Sequence, residues 1–167
     1  MPEAQLDRFF FKVIVPFPDA DDLVEIAKRT TGSTSVHLER VATREDLTAM
    51  SELAREVPIA SHVLDRAVQL ILATHPEKPG STEEVKRYVR WGSSPRGLQS
   101  MVLAGRIRAL LDGRFNVAIE DLHAVAPAAL RHRIFLNFEA DAAGVEPDAI
   151  VASVVATPVG GRGAQPS

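Results

Sequence analysis

The segment FFFKVIV at positions 9–15 is the feature that most restricts how this chain can fold. It is a continuous run, rich in aromatic and β-branched residues, that ends at Pro16, a pattern typical of a strand buried on both faces. Such a strand needs neighbouring strands, but no other segment of the sequence has this quality. We therefore interpret positions 9–15 as one orphan strand at the end of an α/β domain whose body lies outside these 167 residues.

Helical patterns dominate the rest of the chain. Aromatic residues make up only 5% of the sequence, so the core must be mostly aliphatic, which favours helix packing over a sandwich or barrel. Apolar spacing and terminal signals predict about six helices after the strand. We expect a mainly α fold in which the later helices form an independent bundle. The predicted helices span 18–32, 44–57, 58–76, 95–112, 119–133 and 146–158.

Some helix ends carry specific signals. The stretch STEE at 81–84 fits a capping box made by Ser81 and Glu84. The helix over 95–112 has apolar residues on nearly all sides, which predicts a central, mostly buried helix, and Gly105 within it allows close approach of a neighbour. The tail VGGRGAQPS is rich in Gly and polar residues, which predicts disorder.

Composition excludes several classes of function. The chain has no cysteine, so thiolate catalysis and Cys-based zinc sites are excluded, and its five histidines form no HExxH pattern. We therefore predict no metal site. The net charge of −3 gives no support for binding to nucleic acid or an anionic membrane. No apolar run approaches the roughly 20 residues that span a bilayer. We predict a cytoplasmic protein.

Two arginines are candidates for binding an anion. In RWGSSPRGLQS at 90–100, Ser94 fits the N-cap of the following helix, Pro95 fits the first helical position, and Arg96 comes next. A cation there opposes the helix dipole, so either an anion binds at this N-terminus or Arg96 reaches to a nearby carboxylate. The sequence favours neither alternative. Arg8 precedes the predicted strand, and taken alone this segment favours a surface arginine that caps the end of a short helix.

Three segments together resemble the MoxR family of AAA+ ATPases over about positions 2–158. PEAQLDRF resembles the family segment PLPEAQLDRF, and EVKRYVRWGSSPRGLQSMVLAGRIRALLDGRFNV resembles the sensor 2 region of the helical lid. IEDLHAVAPAALRHRI resembles a third family segment. The chain departs from the family pattern at Ile119, where proline is usual, and at Ser93 and Gly97, where alanines are usual.

This resemblance implies a domain organisation and roles for both arginines. Residues 1–32 would be the end of the AAA+ core, residues 33–158 the helical lid, and residues 159–167 a disordered tail. Arg8 would match the arginine finger, a catalytic residue that points at the γ-phosphate of a neighbouring subunit's ATP. Arg96 would match the sensor 2 arginine and would contact the nucleotide in the cleft between core and lid.

The resemblance also implies what the complete protein uses and binds. ATP and Mg²⁺ would be used by the complete protein, which would be a chaperone-like hexamer that acts with a partner bearing a von Willebrand factor A domain. The 167 residues contain no GxxxxGK[ST] loop, so we expect this chain alone to be inactive and to hold no nucleotide tightly.

Two other interpretations of the chain remain open. It could be a free-standing helical interaction module that binds nucleic acid through a basic cluster, although a solvated face explains the same cluster better. It could also serve only in oligomerisation. The basic cluster consists of Lys86, Arg87, Arg90 and Arg96.

Overall fold

The computed structural model describes residues 3–32 and 37–158, and the tail predicted to be disordered lies outside the described residues. Over these ranges the fold is mainly helical, which confirms the predicted fold class. In chain order the elements are α1 (Glu3–Leu6), α2 (Ala20–Thr31), α3 (Arg44–Glu56), α4 (Ser61–Ala73), α5 (Glu83–Tyr88), β1 (Val89–Trp91), α6 (Pro95–Leu111), α7 (Ile119–Leu130), β2 (Phe135–Leu136), α8 (Phe138–Ala143) and α9 (Pro147–Ala156).

Helix α6 lies against α7, α4 and α3 and so forms the centre of the bundle, as predicted. Its buried face consists mostly of small residues together with Met101. A Cβ atom on Gly105 would lie 3.3 Å from side-chain carbons of Val117 and Leu122, so glycine allows the close approach of the chain around α7. The prediction that this helix is mostly buried was wrong, because only a stripe of mainly small residues is buried, while Ile107 is 40% and Leu111 83% exposed.

The predicted strand at 9–15 is absent from the structure. The chain bends at Phe9 and Phe10, residues 9–15 are not paired in a sheet, and most of their side chains are exposed. The backbone N–H of Lys12 donates to the carbonyl oxygen of Ala128, and the side chain of Phe11 packs against the core. The described residues provide no partner strand for this segment, so its strand-like composition is not enough to form one.

A small sheet occurs where none was predicted. Strands β1 and β2 pair antiparallel, with Val89 opposite Leu136 and Trp91 opposite Phe135. The indole of Trp91 contacts the ring of Phe135 edge-on, with 6.3 Å between centroids. Each strand has only two or three residues, which is too short for an alternating pattern to show in the sequence.

Two predicted helix starts were wrong. The helix predicted from position 58 begins at Ser61, because Ile59 forms a parallel bridge with Val117 instead. The predicted capping box of Ser81 and Glu84 is also wrong, because Thr82 is the N-cap of α5 and accepts from the N–H of Val85. The hydroxyl of Ser81 donates to the carbonyl oxygen of Pro76 in the preceding turn.

Gly97 and Ser93, two of the three departures from the family pattern, lie against each other. A Cβ atom on Gly97 would lie 2.1 Å from Oγ of Ser93 and 2.9 Å from a methyl carbon of Leu130. Ser93 is buried, so its hydroxyl has little room to move away. Ser93 and, to a smaller extent, Leu130 therefore leave room for glycine at 97 but not for a larger residue.

We expect Gly97→Ala to destabilise the domain by about 1–2 kcal/mol, because overpacking costs more than the roughly 1 kcal/mol by which alanine is the better helix former. Adding Ser93→Ala should restore part of the loss, because it removes the closest clashing atom while the approach to Leu130 remains. Urea unfolding of both single variants and the double variant measures the coupling. Equal losses from Gly97→Ala with and without Ser93→Ala would contradict this account.

Candidate functional site

The N-terminus of α6 is built as the sequence predicts. Ser94 is the N-cap, its Oγ accepts from the backbone N–H of Arg96 at 3.1 Å, and Pro95 occupies the first helical position. This geometry fixes where α6 begins, and therefore where the side chain of Arg96 starts. The guanidinium of Arg96 is about half exposed.

The carboxylate of Asp7 contacts this N-terminus from the beginning of the chain. Its Oδ1 accepts from Oγ of Ser94 at 2.6 Å, and its Oδ2 accepts from Nη1 of Arg96 at 3.0 Å. Nε of Arg133 donates to Oδ1 at 3.3 Å. Burial alone would raise the pKa of Asp7, but hydrogen bonds from Ser94 and Arg96 and the charges of Arg133 and Arg96 hold that pKa below its ordinary value. Of the two alternatives open for Arg96, the structure has the pairing with a carboxylate.

Arg133 is the functional residue that the sequence analysis missed. Its side chain is only 1% exposed, and its Nη2 donates to the carbonyl oxygens of Asp7 at 3.0 Å and Phe9 at 2.6 Å. Its Nη1 donates to the carbonyl oxygens of Phe10, at 3.2 Å, and Ala129. Burial lowers the pKa of Arg133, and the nearby Asp7 carboxylate opposes that shift. Arg133 thus joins residues 7–10 to the end of α7.

The two residues before Arg133 make the same kind of contact. Nη1 of Arg131 donates to the carbonyl oxygen of Lys12 at 3.0 Å, and Nε2 of His132 donates to that of Phe9 at 2.9 Å. Burial lowers the pKa of His132, which favours the neutral ring. We call residues 131–133 the RHR clamp. The three basic residues are visible in the sequence as ALRHRI. No local pattern, however, indicates that they donate to backbone carbonyl oxygens about 120 residues earlier.

Both predicted site residues line the same pocket, an open cavity of about 320 Å³ beside the start of α6. Arg8 is exposed, and among the described residues its side chain has no ion pair. Three arginines therefore line this cavity, but the guanidinium of Arg133 is buried and donates to residues 7–10 and Ala129. Arg8 and Arg96 carry the exposed side chains, and Asp7 neutralises part of the charge of Arg96. The lining residues are Arg8, Phe10, Arg96, Gln99, Ser100, Leu103 and Arg133.

A pocket with this lining suits an anion with several oxygens. Guanidinium groups bind phosphate and carboxylate oxygens through paired, charge-assisted hydrogen bonds. Gln99 and Ser100 add neutral polar side chains on the first turns of α6. No group of three or more potential metal ligands occurs in residues 3–32 and 37–158, so we assign no residue there to a metal ion.

The basic cluster at 86–96 is largely neutralised by carboxylates. Nζ of Lys86 lies 2.7 Å from Glu83, and Nε of Arg87 lies 2.5 Å from Glu139. Arg96 pairs with Asp7, as described above. The guanidinium of Arg90 stacks over the ring of Trp91, 4.1 Å from its centroid. These contacts match a solvated surface and do not favour nucleic-acid binding. No helix within the described ranges has the length and apolar character needed to cross a bilayer.

Comparison with known proteins agrees with this architecture. Residues 81–154 match the AAA lid domain family. The chain is 32% identical over 157 residues to Chaperone MoxR1 of Mycobacterium tuberculosis, an alignment covering 94% of this chain and 41% of that protein. It is 44% identical over 66 residues to Protein MoxR of Methylorubrum extorquens, covering 38% of this chain and 19% of that protein.

A solved structure matches almost the whole chain. The crystal structure of a protein from Cytophaga hutchinsonii, assigned as an ATPase, superposes with a TM-score of 0.85 at 25% identity and covers 95% of this chain and 48% of its own. The chain thus spans less than half the length of each of these relatives. The fold and the lid match define a C-terminal region of an AAA+ protein. Within that class, the chain belongs to the MoxR family.

Proposed function

We propose that this chain supplies Arg8 and Arg96 to ATP hydrolysis by a complete MoxR-family protein. The observation that supports this proposal is that both residues line one open cavity and carry exposed side chains. Arg8 would donate hydrogen bonds to the γ-phosphate as negative charge spreads over its oxygens in the transition state. Arg96 would bind the same phosphate chain, so that its position would depend on whether nucleotide is bound. ATP with Mg²⁺ would supply the phosphoryl group, and this chain's residues would bind its oxygens.

The shared pocket changes one expectation from the family resemblance. That resemblance implies that Arg8 faces the nucleotide of a neighbouring subunit while Arg96 faces a nucleotide in its own cleft. Because Arg8 and Arg96 line one cavity, we propose instead that both act on one nucleotide, bound by the neighbouring subunit. This arrangement requires an oligomer, since the phosphate and the two arginines would come from different chains.

The exposed apolar surface near the N-terminus supports the proposed domain organisation, with 1–32 in the AAA+ core and 33–158 in the lid. Helix α2 buries none of its residues, although it has a strong apolar face. Val15 and Phe17, in the extended segment before it, are 82% and 86% exposed. A concentration of exposed apolar residues in one segment is typical of a surface that packs against another domain. The apolar residues of the α2 face are Leu23, Val24 and Ile26.

We further propose that the complete protein is a cytoplasmic, chaperone-like hexamer that acts with a partner bearing a von Willebrand factor A domain. The support for this is the family itself, one of whose members is named a chaperone. The observed geometry favours no second function, because three of the four residues of the basic cluster pair with carboxylates and Arg90 stacks on Trp91.

The test of the shared pocket uses Arg96→Ala in the complete protein. We expect kcat/KM for ATP to fall by about tenfold to a hundredfold, because a hydrogen bond to a charged group contributes about 1.5–3 kcal/mol. Arg87→Ala removes an arginine that does not line the pocket and should leave the rate unchanged. Combining Arg8→Ala with Arg96→Ala should cost less than the product of the single effects. Independent, fully multiplicative effects would contradict a shared phosphate.

A further inference from the structure

We propose that Asp7 is a positioning residue that holds Arg96 beside the pocket and competes with phosphate for its guanidinium. This inference rests on the proposed function, because it concerns how the same pocket is regulated. The observation is the bridge made by the Asp7 carboxylate, which accepts from Arg96 at 3.0 Å, from Ser94 at 2.6 Å and from Arg133 at 3.3 Å.

The contact between Asp7 and Arg133 is buried, whereas the contact between Asp7 and Arg96 is open to solvent. The side chain of Arg133 is 1% exposed and that of Asp7 is 16% exposed, whereas that of Arg96 is 54% exposed. Arg133 also holds the backbone of Asp7 through its carbonyl oxygen. When a phosphate group enters the pocket, the solvated Arg96 is therefore the partner that can move, while Asp7 stays in place.

The same network also fixes the backbone of Arg8, the residue that follows Asp7. The RHR clamp holds the carbonyl oxygens of Asp7 and Phe9, so the backbone of Arg8 is fastened on both sides. The side chain of Arg8 is exposed and lines the same cavity as Arg96. The network thus lets Arg96 leave its carboxylate partner for phosphate without loosening the backbone that carries Arg8.

This competition predicts tighter phosphate binding when the Asp7 charge is removed. The probe is inorganic tripolyphosphate, titrated into the 167-residue chain by calorimetry or NMR. We expect Asp7→Asn to bind it about twofold to fivefold more tightly than wild type, because one partly exposed ion pair no longer competes. Glu139→Gln removes one charge and one ion pair elsewhere and should bind like wild type.

The role of Arg96 in this effect is tested by a double variant. In an Arg96→Ala background, Asp7→Asn should give little or no gain, because the guanidinium for which Asp7 competes is gone. A full gain in that background would mean that Asp7 acts only through its negative charge, and would overturn the proposal. Equal affinities of wild type and Asp7→Asn would overturn it as well, while leaving the phosphate site intact.

A second measurement does not depend on any Asp7 variant folding. The pKa of Asp7 in the wild-type chain can be followed by carboxyl NMR, together with the nearby His132. Saturating tripolyphosphate should raise the Asp7 pKa towards its value in the Arg96→Ala chain, because the hydrogen bond from Arg96 is withdrawn. An Asp7 pKa unchanged by bound tripolyphosphate would overturn the competition. Absence of binding by wild type and every variant would overturn both the pocket and the role of Asp7.

Discussion

Replacing Arg8 with alanine in the complete protein is expected to lower kcat for ATP hydrolysis by about a thousandfold, the lower end of the effect known for arginine fingers. ATP affinity should change little, because a finger acts mainly on charge that develops in the transition state. Folding should also be unaffected, since Arg8 is exposed and has no ion pair among the described residues. Steady-state kinetics and an equilibrium ATP-binding assay measure the two quantities separately.

Two controls make this result specific to Arg8. Arg8→Lys keeps the charge but loses the paired donors of the guanidinium, so it should recover only part of the rate. Arg87→Ala removes an arginine outside the pocket and should turn over like wild type. Size-exclusion chromatography must show the same assembly for every variant. A loss of ATP binding in a normally assembled Arg8→Ala protein would contradict the finger role.

Local signals in the sequence were enough to predict most of the helices and the start of α6. Acidic residues at one end, with basic residues and Gly32 at the other, predicted a helix over 18–32, and α2 lies within these positions. Ser94 and Pro95 placed Arg96 because capping depends on residues within one turn of each other. The mainly α fold also followed, because the spacing of apolar residues in each helix is itself a local property.

Contacts between distant parts of the chain could not be predicted in this way. Positions 9–15 have the composition of a strand, but whether they pair depends on strands that the described residues do not provide. The partner of Arg96 is Asp7, 89 positions earlier, so the sequence could not choose between a carboxylate and a bound anion. For the same reason, the sequence could not predict that Arg133 binds the N-terminal segment, because the RHR clamp contacts residues 7–12 only in the folded chain.

Arg133→Ala is expected to have the largest effect on stability, a loss of about 3–5 kcal/mol, typical of breaking a buried ion pair by removing one partner. The substitution leaves the Asp7 carboxylate without its buried partner and removes the donors to the carbonyl oxygens of Phe9 and Phe10. Urea unfolding of the 167-residue chain measures this loss.

The matched variants separate the charge of Arg133 from its geometry. Arg133→Lys retains the charge but cannot reach carbonyl oxygens on both sides at once, so it should lose less stability than Arg133→Ala. Arg87→Ala breaks an exposed ion pair and should change the unfolding free energy by less than about 1 kcal/mol. In Arg133→Ala, the amide of Lys12 should also exchange with solvent much faster, because its hydrogen bond to Ala128 depends on the clamped segment. A loss below 1 kcal/mol with normal protection of Lys12 would show that Arg131 and His132 hold this segment without Arg133.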